Sequence, residues 1–235
     1  PGVDKVDLIT QRVVDDTISP DYAVPIESLA DNLRIVRLDA GPEEYLAKEE
    51  LWDHLDFFTD NLTAFFRDNN SFPDIIHSHY ADAGYVGSHL ASQLGIPLVH
   101  TGHSLGRVKR SRLLASGLKA QEIETRFKMS RRIEAEEQTL ATAERVITST
   151  HQEIDQQYGL YNRYQPQRMK VIPPGIELTR FFPPDGSEQD ASIKRELARF
   201  LLNPDQPIVL ALSRPDTRKN IGTLLEAYGE SETLQ

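Results

Sequence analysis

Cysteine is absent from all 235 residues. That excludes a disulfide scaffold, a thiolate zinc site and a cysteine nucleophile, and it suits a reducing compartment. No apolar stretch approaches the ~18 residues of a membrane-spanning helix. The longest, such as residues 208–212, are short. No charged segment followed by an apolar core opens the chain, so no export signal is expected. Positive charge is also in deficit. Lys and Arg number 26 against 36 Asp and Glu, a net charge of −10. A general affinity for nucleic acid or for an anionic membrane is therefore not expected. Internal repeats and low-complexity tracts are missing too, which leaves no solenoid and no disordered tail. With 39% hydrophobic and 26% charged residues, the chain has the balance of a folded protein. Residue 1 is Pro rather than Met, so a fragment or a processed product is expected.

The charge that is present is uneven. From Arg107 to Arg132 there are nine Lys or Arg against two Glu. An island of +7 in an acidic protein asks for a small, local anion. Hydrophobic patterning alternates between strand and helix. Strands are predicted over residues 6–10, 33–38, 74–79, 97–101, 145–149, 169–172 and 208–212. Residues 33–38 alternate apolar and basic, as an outer strand would. Helices are predicted over 43–69, 81–94, 118–143, 151–158 and 188–202, with another opening at Asn220. Residues 102–117 read as a glycine-punctuated basic loop, and 182–187 as a linker. Strands spaced by helices predict an α/β fold, a parallel sheet with helices on both faces. Such sheets bind ligands at the C-terminal edge of their strands. Residues 77–82, 102–109 and 213–220 all fall at such edges. The last strand and helix would begin a second domain too short to close, so its remainder is expected to be missing.

Each motif has competing readings. GHSLG at 102–106 fits the G-x-S-x-G nucleophile elbow of hydrolases. The later sequence argues against it: His151 is the only histidine after Ser104, and no Asp lies between them. The bulky RVKRSR that follows also suits an elbow badly. A plain glycine-permitted turn is the bland alternative. The basic residues here suit a phosphate, Lys as a point charge and Arg as a bidentate fork. Arg132 lies one turn past Lys128, so both can share a side. Against that stands a solvated surface, with Arg132 and Glu136 as an ordinary i,i+4 pair worth about tenths of a kcal/mol. His77 and His79 share a strand face beside Asp82, but no third metal ligand has local spacing. Tyr80 leaves that strand at its C-terminal end. Between residues 213 and 220, Arg214 and Lys219 flank a turn into a helix, a fitting diphosphate site without a metal. A basic surface loop is the alternative.

Together these segments resemble one family. TGHSLGR at 101–107, RRIEAEE at 131–137, VITSTHQEI at 146–154, VIPPG at 171–175 and SRPDTRKN at 213–220 closely resemble sucrose-phosphate synthases. The likeness runs from about Asp74 to the end, with GPEEY at 41–45 also fitting. Sucrose synthases look similar at 147–153 but carry AHALE where this chain has GHSLG. The resemblance implies a retaining glycosyltransferase of the GT-B type, two facing Rossmann-like domains. Residues 1–181 would form the acceptor-binding domain, lacking its first segment, and 182–235 the beginning of the nucleotide-sugar-binding domain. The implied reaction moves glucose from UDP-glucose to fructose 6-phosphate, giving sucrose 6-phosphate and UDP.

By position, Tyr80, Ser104, Lys109 and Arg132 match family residues that hold fructose 6-phosphate. His103 matches the histidine near the transferred glucose, and Arg214 and Lys219 the pair on the UDP diphosphate. No cofactor is expected to be required, Mg included. The resemblance implies a cytoplasmic enzyme with small-molecule partners and an association with a sucrose-phosphate phosphatase. A Gly-Gly-Gln type segment would precede residue 1 and a Glu-x7-Glu segment would follow residue 235. Without them the chain is expected to bind UDP-glucose poorly and not to turn over. Other readings stay open: a sucrose synthase, another retaining glycosyltransferase with a different phosphorylated or acidic acceptor, and a non-catalytic sugar-nucleotide-binding fragment.

Overall fold

The computed structural model describes residues 2–183, 191–201, 203–204, 206–214, 216 and 219–233. The chain divides into two units, Pro1–Gly175 and Ile176–Gln235.

The first unit is built on two sheets. Strands β1 (Val6–Gln11), β2 (Ile26–Ala30) and β3 (Leu33–Leu38) form one, in the order β1-β3-β2. β1 runs parallel to β3, and β2 runs antiparallel to it. The segment read as an outer strand is thus the middle one. Its basic residues face partners rather than water. Arg34 donates to both oxygens of Asp7 at 2.7 and 2.9 Å, and the buried Arg37 donates to Glu27 at 2.6 Å. The pattern of alternation was correct, but pairing across strands decided which residues are covered. β2 carried no clear pattern because its side chains are mostly exposed.

The second sheet is wholly parallel: β4 (Ile76–His79), β5 (Leu98–Thr101), β6 (Arg145–Thr148) and β7 (Met169–Val171), paired in chain order. Helix α1 (Lys48–Leu51) and a 3₁₀ turn, Trp52–His54, lead into α2 (Leu55–Asp68). The stretch 43–69, which reads as one long helix or two, thus holds two. Helix α3 (Tyr80–Leu94) crosses from β4 to β5 and ends on Gly95 in the left-handed conformation. It packs against α6 (Met129–Thr142), where a Cβ on Gly84 would stand 2.7 Å from Thr139 Oγ1. Only glycine permits that approach. Leu90, Leu98, Val146 and Leu140 fill the core between α3, the sheet and α6.

Two expectations change here. The basic stretch 102–117 is mostly a helix, α4 (Gly106–Ala115). The long helix over 118–143 is two, α5 (Ala120–Phe127) and α6, separated at Lys128 with φ +42°. Ser130 N–H and Oγ–H both bond Glu124, which closes the corner. Residues 153–160 continue beyond β6 as a π turn and a 3₁₀ turn rather than a regular helix.

The second unit contains α7 (Ala191–Ala198) and α8 (Ile221–Glu230). Residues 208–212, predicted as a strand, are irregular, and Leu212 is 91% exposed. A strand exists only by pairing, and no partner strand occurs among the described residues of this unit. Most of the predicted linker, 184–187, lies outside the described residues.

Candidate functional site

β4 and β5 end side by side, with His79 opposite Thr101. Both chains then turn sharply. Tyr80 takes φ +76° and His103 φ +57°, unusual for bulky residues and a feature of functional turns. Gly102 makes the second turn possible, since a Cβ there would lie 2.5 Å from the Tyr158 hydroxyl. Its own N–H donates to that hydroxyl at 3.2 Å.

Arg132 reaches this corner from α6. Its Nε donates to Glu136 at 2.9 Å, a second nitrogen donates to the Ser104 carbonyl, and the same nitrogen lies 3.5 Å from Ser104 Oγ. Its guanidinium sits 4.6 Å from the Tyr80 ring centroid. The Arg132–Glu136 pair, a solvated i,i+4 contact in the bland reading of the sequence, is buried on both sides, 5% and 3% exposed. Both Glu136 oxygens also accept from the Gly106 N–H at 3.0 Å, and one accepts from the Tyr161 hydroxyl. Burial pushes the Glu136 carboxyl up, against Arg132, Tyr161 and Gly106, which pull it down. Arg132 and the Gly106 N–H can only donate, and both favour the carboxylate. An anion at the start of α4 also suits the helix dipole. Glu136 thereby fixes Arg132 and α4 together.

Lys109 lies one turn into α4. Its ammonium rests 4.1 Å over the Phe127 ring, and Lys48 Nζ rests 4.1 Å over Tyr80. Neither lysine forms an ion pair among the described residues. Burial first, then Arg132 and Lys48, push the Lys109 ammonium below the ordinary lysine range, with Glu49 opposing. A bound anion would relieve that. The rest of the basic island is spoken for or remote. Arg107 pairs with Glu137 at 2.7 Å, and Lys128 and Arg131 both pair with Asp53. The island thus narrows to one corner, where Arg132 and, from outside the island, Lys48 lie against Tyr80, and Lys109 is near enough to feel both charges.

Tyr80, Ser104, Lys109 and Arg132 are therefore brought together, with His103 on the adjoining turn. Ser104 Oγ has no hydrogen bond to a histidine among the described residues, so the elbow reading gains no base. Arg214 and Lys219 belong to the second unit. Arg214 is 78% exposed on its side chain, with Asp216 at 3.8 Å. Lys219 N–H donates to the Asp216 carbonyl at 3.0 Å, just before α8. Pro215, Thr217 and Arg218 of that turn lie outside the described residues. Sequence reasoning missed Lys48, Glu136 and Tyr161. Lys48 sits in a segment without pattern, and Glu136 gave a signal that was read as surface.

Under the site, His100 is 2% exposed, its Nδ1 2.9 Å from Ser78 Oγ. Burial, then His77, His79 and His103, push it down to about 3. The unfolded imidazole titrates near ~6.5. The folded value is the lower one, so the unfolded chain takes up the proton first. This part of the stability is complete above about pH 6.5 and is lost as pH falls toward 3. Urea midpoints between pH 7 and 4 should fall for the wild type and fall less for His100→Asn. Equal slopes would contradict this.

A parallel α/β sheet with cations gathered at its C-terminal edge is the frame of a Rossmann-like transferase domain, here of the glycosyltransferase class. The Glycosyltransferase Family 4 model matches residues 14–180, and the chain belongs to that family. It is 37% identical over 296 aligned positions to sucrose-phosphate synthase 4 of Arabidopsis thaliana, covering 100% of this chain and 28% of the relative. It is likewise 37% identical over 301 positions to the sucrose-phosphate synthase of Zea mays, again covering 100% and 28%. Among solved structures, a sucrose-phosphate synthase from Thermosynechococcus elongatus matches with a TM-score of 0.70 and 27% identity, over 96% of this chain and 50% of that one. The chain thus spans little more than a quarter of the length of its plant relatives. Among the described residues, no helix is long and apolar enough to cross a membrane.

Proposed function

We propose that the protein carrying this chain transfers glucose from UDP-glucose to O2 of fructose 6-phosphate with retention, giving sucrose 6-phosphate and UDP. The observation that carries this reading is the cationic corner around Tyr80, in which Lys109 is partly desolvated and has no carboxylate partner among the described residues. The names of the relatives fit it. In this reading the 6-phosphate of the acceptor contacts Lys109, Ser104 and Tyr80. Arg132 has less to give, because Glu136 already neutralises it; its part is to hold the Ser104 turn and lend field.

Arg214, Lys219 and the first N–H groups of α8 take the UDP diphosphate. Negative charge that develops on the β-phosphate as the glucose–oxygen bond breaks is stabilised there, usually the largest catalytic term. The acceptor oxygen bonds the anomeric carbon on the same face, and its proton passes to the departing phosphate. His103 orients the sugar and is not a base. No cofactor takes part. The product is a phosphate ester, and a sucrose-phosphate phosphatase that associates with the enzyme would consume it. The lack of cysteine agrees with a cytoplasmic site for both.

Initial rates of UDP release with fructose 6-phosphate and with fructose test the reading in the intact polypeptide. The phosphorylated sugar should be preferred by about tenfold or more, the value of one charged hydrogen bond. Preference for free fructose would assign the protein to sucrose synthesis from the unphosphorylated sugar instead.

A further inference from the structure

We propose that His79 is a positioning residue for His103, fixing which nitrogen of that ring carries the proton and where the ring points. The inference rests on the reading of His103 as the histidine beside the transferred glucose. The geometry begins at the strand ends. β4 delivers His79 at its last residue, and the left-handed turn at His103 folds that side chain back toward it. His79 Nδ1 and His103 Nε2 are 2.9 Å apart, with ring centroids 5.2 Å apart and 23° between the planes, so the rings meet edge to edge with the bond in their planes.

A hydrogen bond between two neutral imidazoles needs one N–H and one lone pair. The state of one ring therefore dictates that of the other. With Nε2 of His103 committed to His79, only Nδ1 is left to meet a ligand. The other side of His79 is closed by His77, whose ring lies 4.3 Å away and whose Nε2 is 2.9 Å from Thr101 Oγ1. The titratable groups facing the pair are His77 on the same strand and His100 on β5. No carboxylate bonds any of these rings among the described residues. Burial and the neighbouring His103 push the His79 imidazole down, so nothing here favours a charged ring. The bond to His79, itself packed against His77, holds His103 in one orientation. A histidine that turns on itself would offer a donor half the time and an acceptor the other half.

The test compares the wild type with H79F, H79Q and H79N in the intact polypeptide, reading the ¹⁵N shifts of His103 and the steady-state kinetics. Phe keeps a ring for His77 to stack on but has no nitrogen. Asn places a polar atom where Nδ1 was. In the wild type, His103 should show one protonated and one bare nitrogen, well separated. In H79F the two should average, kcat should fall about ten- to a hundredfold, and both KM values should stay within about threefold. H79N should restore most of the separation and most of kcat. Should H79F not fold, H79Q replaces it, because its amide reaches the Nε2 position and leaves the Nδ1 position empty. Unchanged His103 shifts in the variant without a group at that position would overturn the proposal. Averaged shifts with unchanged kcat would uphold the positioning and count instead against a role of His103 in transfer.

Discussion

Replacing Glu136 by leucine should cost about 3–5 kcal/mol of folding free energy, because it strands Arg132 as an unpaired charge in the interior. The side chain of Arg132 is only 5% exposed, so water cannot take over from the lost carboxylate. Two further donors lose their acceptor, the Gly106 N–H and the Tyr161 hydroxyl. A buried donor left without a partner carries its own desolvation penalty of roughly 1–3 kcal/mol. Glu136→Gln should cost less, since one amide oxygen still accepts while the NH₂ meets only donors. Equilibrium denaturation measures both. A loss below about 1 kcal/mol for Glu136→Leu would mean that the pair is as weak as an exposed one.

Lys109→Ala should raise the KM for fructose 6-phosphate by about ten- to a hundredfold, the equivalent of the roughly 1.5–3 kcal/mol of a charged hydrogen bond. The KM for UDP-glucose should hardly move. The asymmetry follows from position. Lys109 lies in α4 of the first unit, one turn past Ser104, while the diphosphate ligands proposed here, Arg214 and Lys219, lie in the second. Stability should change little, because Lys109 has no ion pair to lose among the described residues and its partly desolvated ammonium keeps only the Phe127 contact. Steady-state kinetics with both substrates decide the matter. Equal shifts in both KM values, or none, would remove Lys109 from the acceptor site.

Much of the fold was legible because its signals are local. Residues 76–79, 98–101 and 145–148 lie in short runs bounded by turn residues, and each is a strand of the parallel sheet. Gly95 marked the end of α3 by its need for a positive φ. What failed was set from a distance. α4 has little apolar periodicity, and its first N–H groups are satisfied by Glu136 and Tyr161, some 30 and 54 residues further along the chain. Nothing near residue 106 announces that. The break at Lys128 depends on Glu124 reaching Ser130, a contact no periodicity encodes.

The same distinction governs the site. Tyr80, Ser104, Lys109 and Arg132 were named from the family resemblance, and strand ends and basic residues in the sequence pointed to the same region. Their relative weight was not. Sequence alone treats nine cations alike, whereas in the structure carboxylates of other elements claim Arg107, Lys128 and Arg131, and Glu136 of the same helix claims Arg132. The cations without such partners at the corner are Lys109 and Lys48, and Lys48 comes from a one-turn helix without apolar periodicity.

The most direct measurement is a crystal structure of the protein soaked with fructose 6-phosphate. Its phosphorus atom should lie in the corner around Tyr80, with phosphate oxygens in hydrogen-bond reach of Lys109 Nζ and Ser104 Oγ. A phosphate seated instead on the exposed face of α4 and α5, touching Arg112 or Lys119 and none of the corner residues, would contradict the assignment.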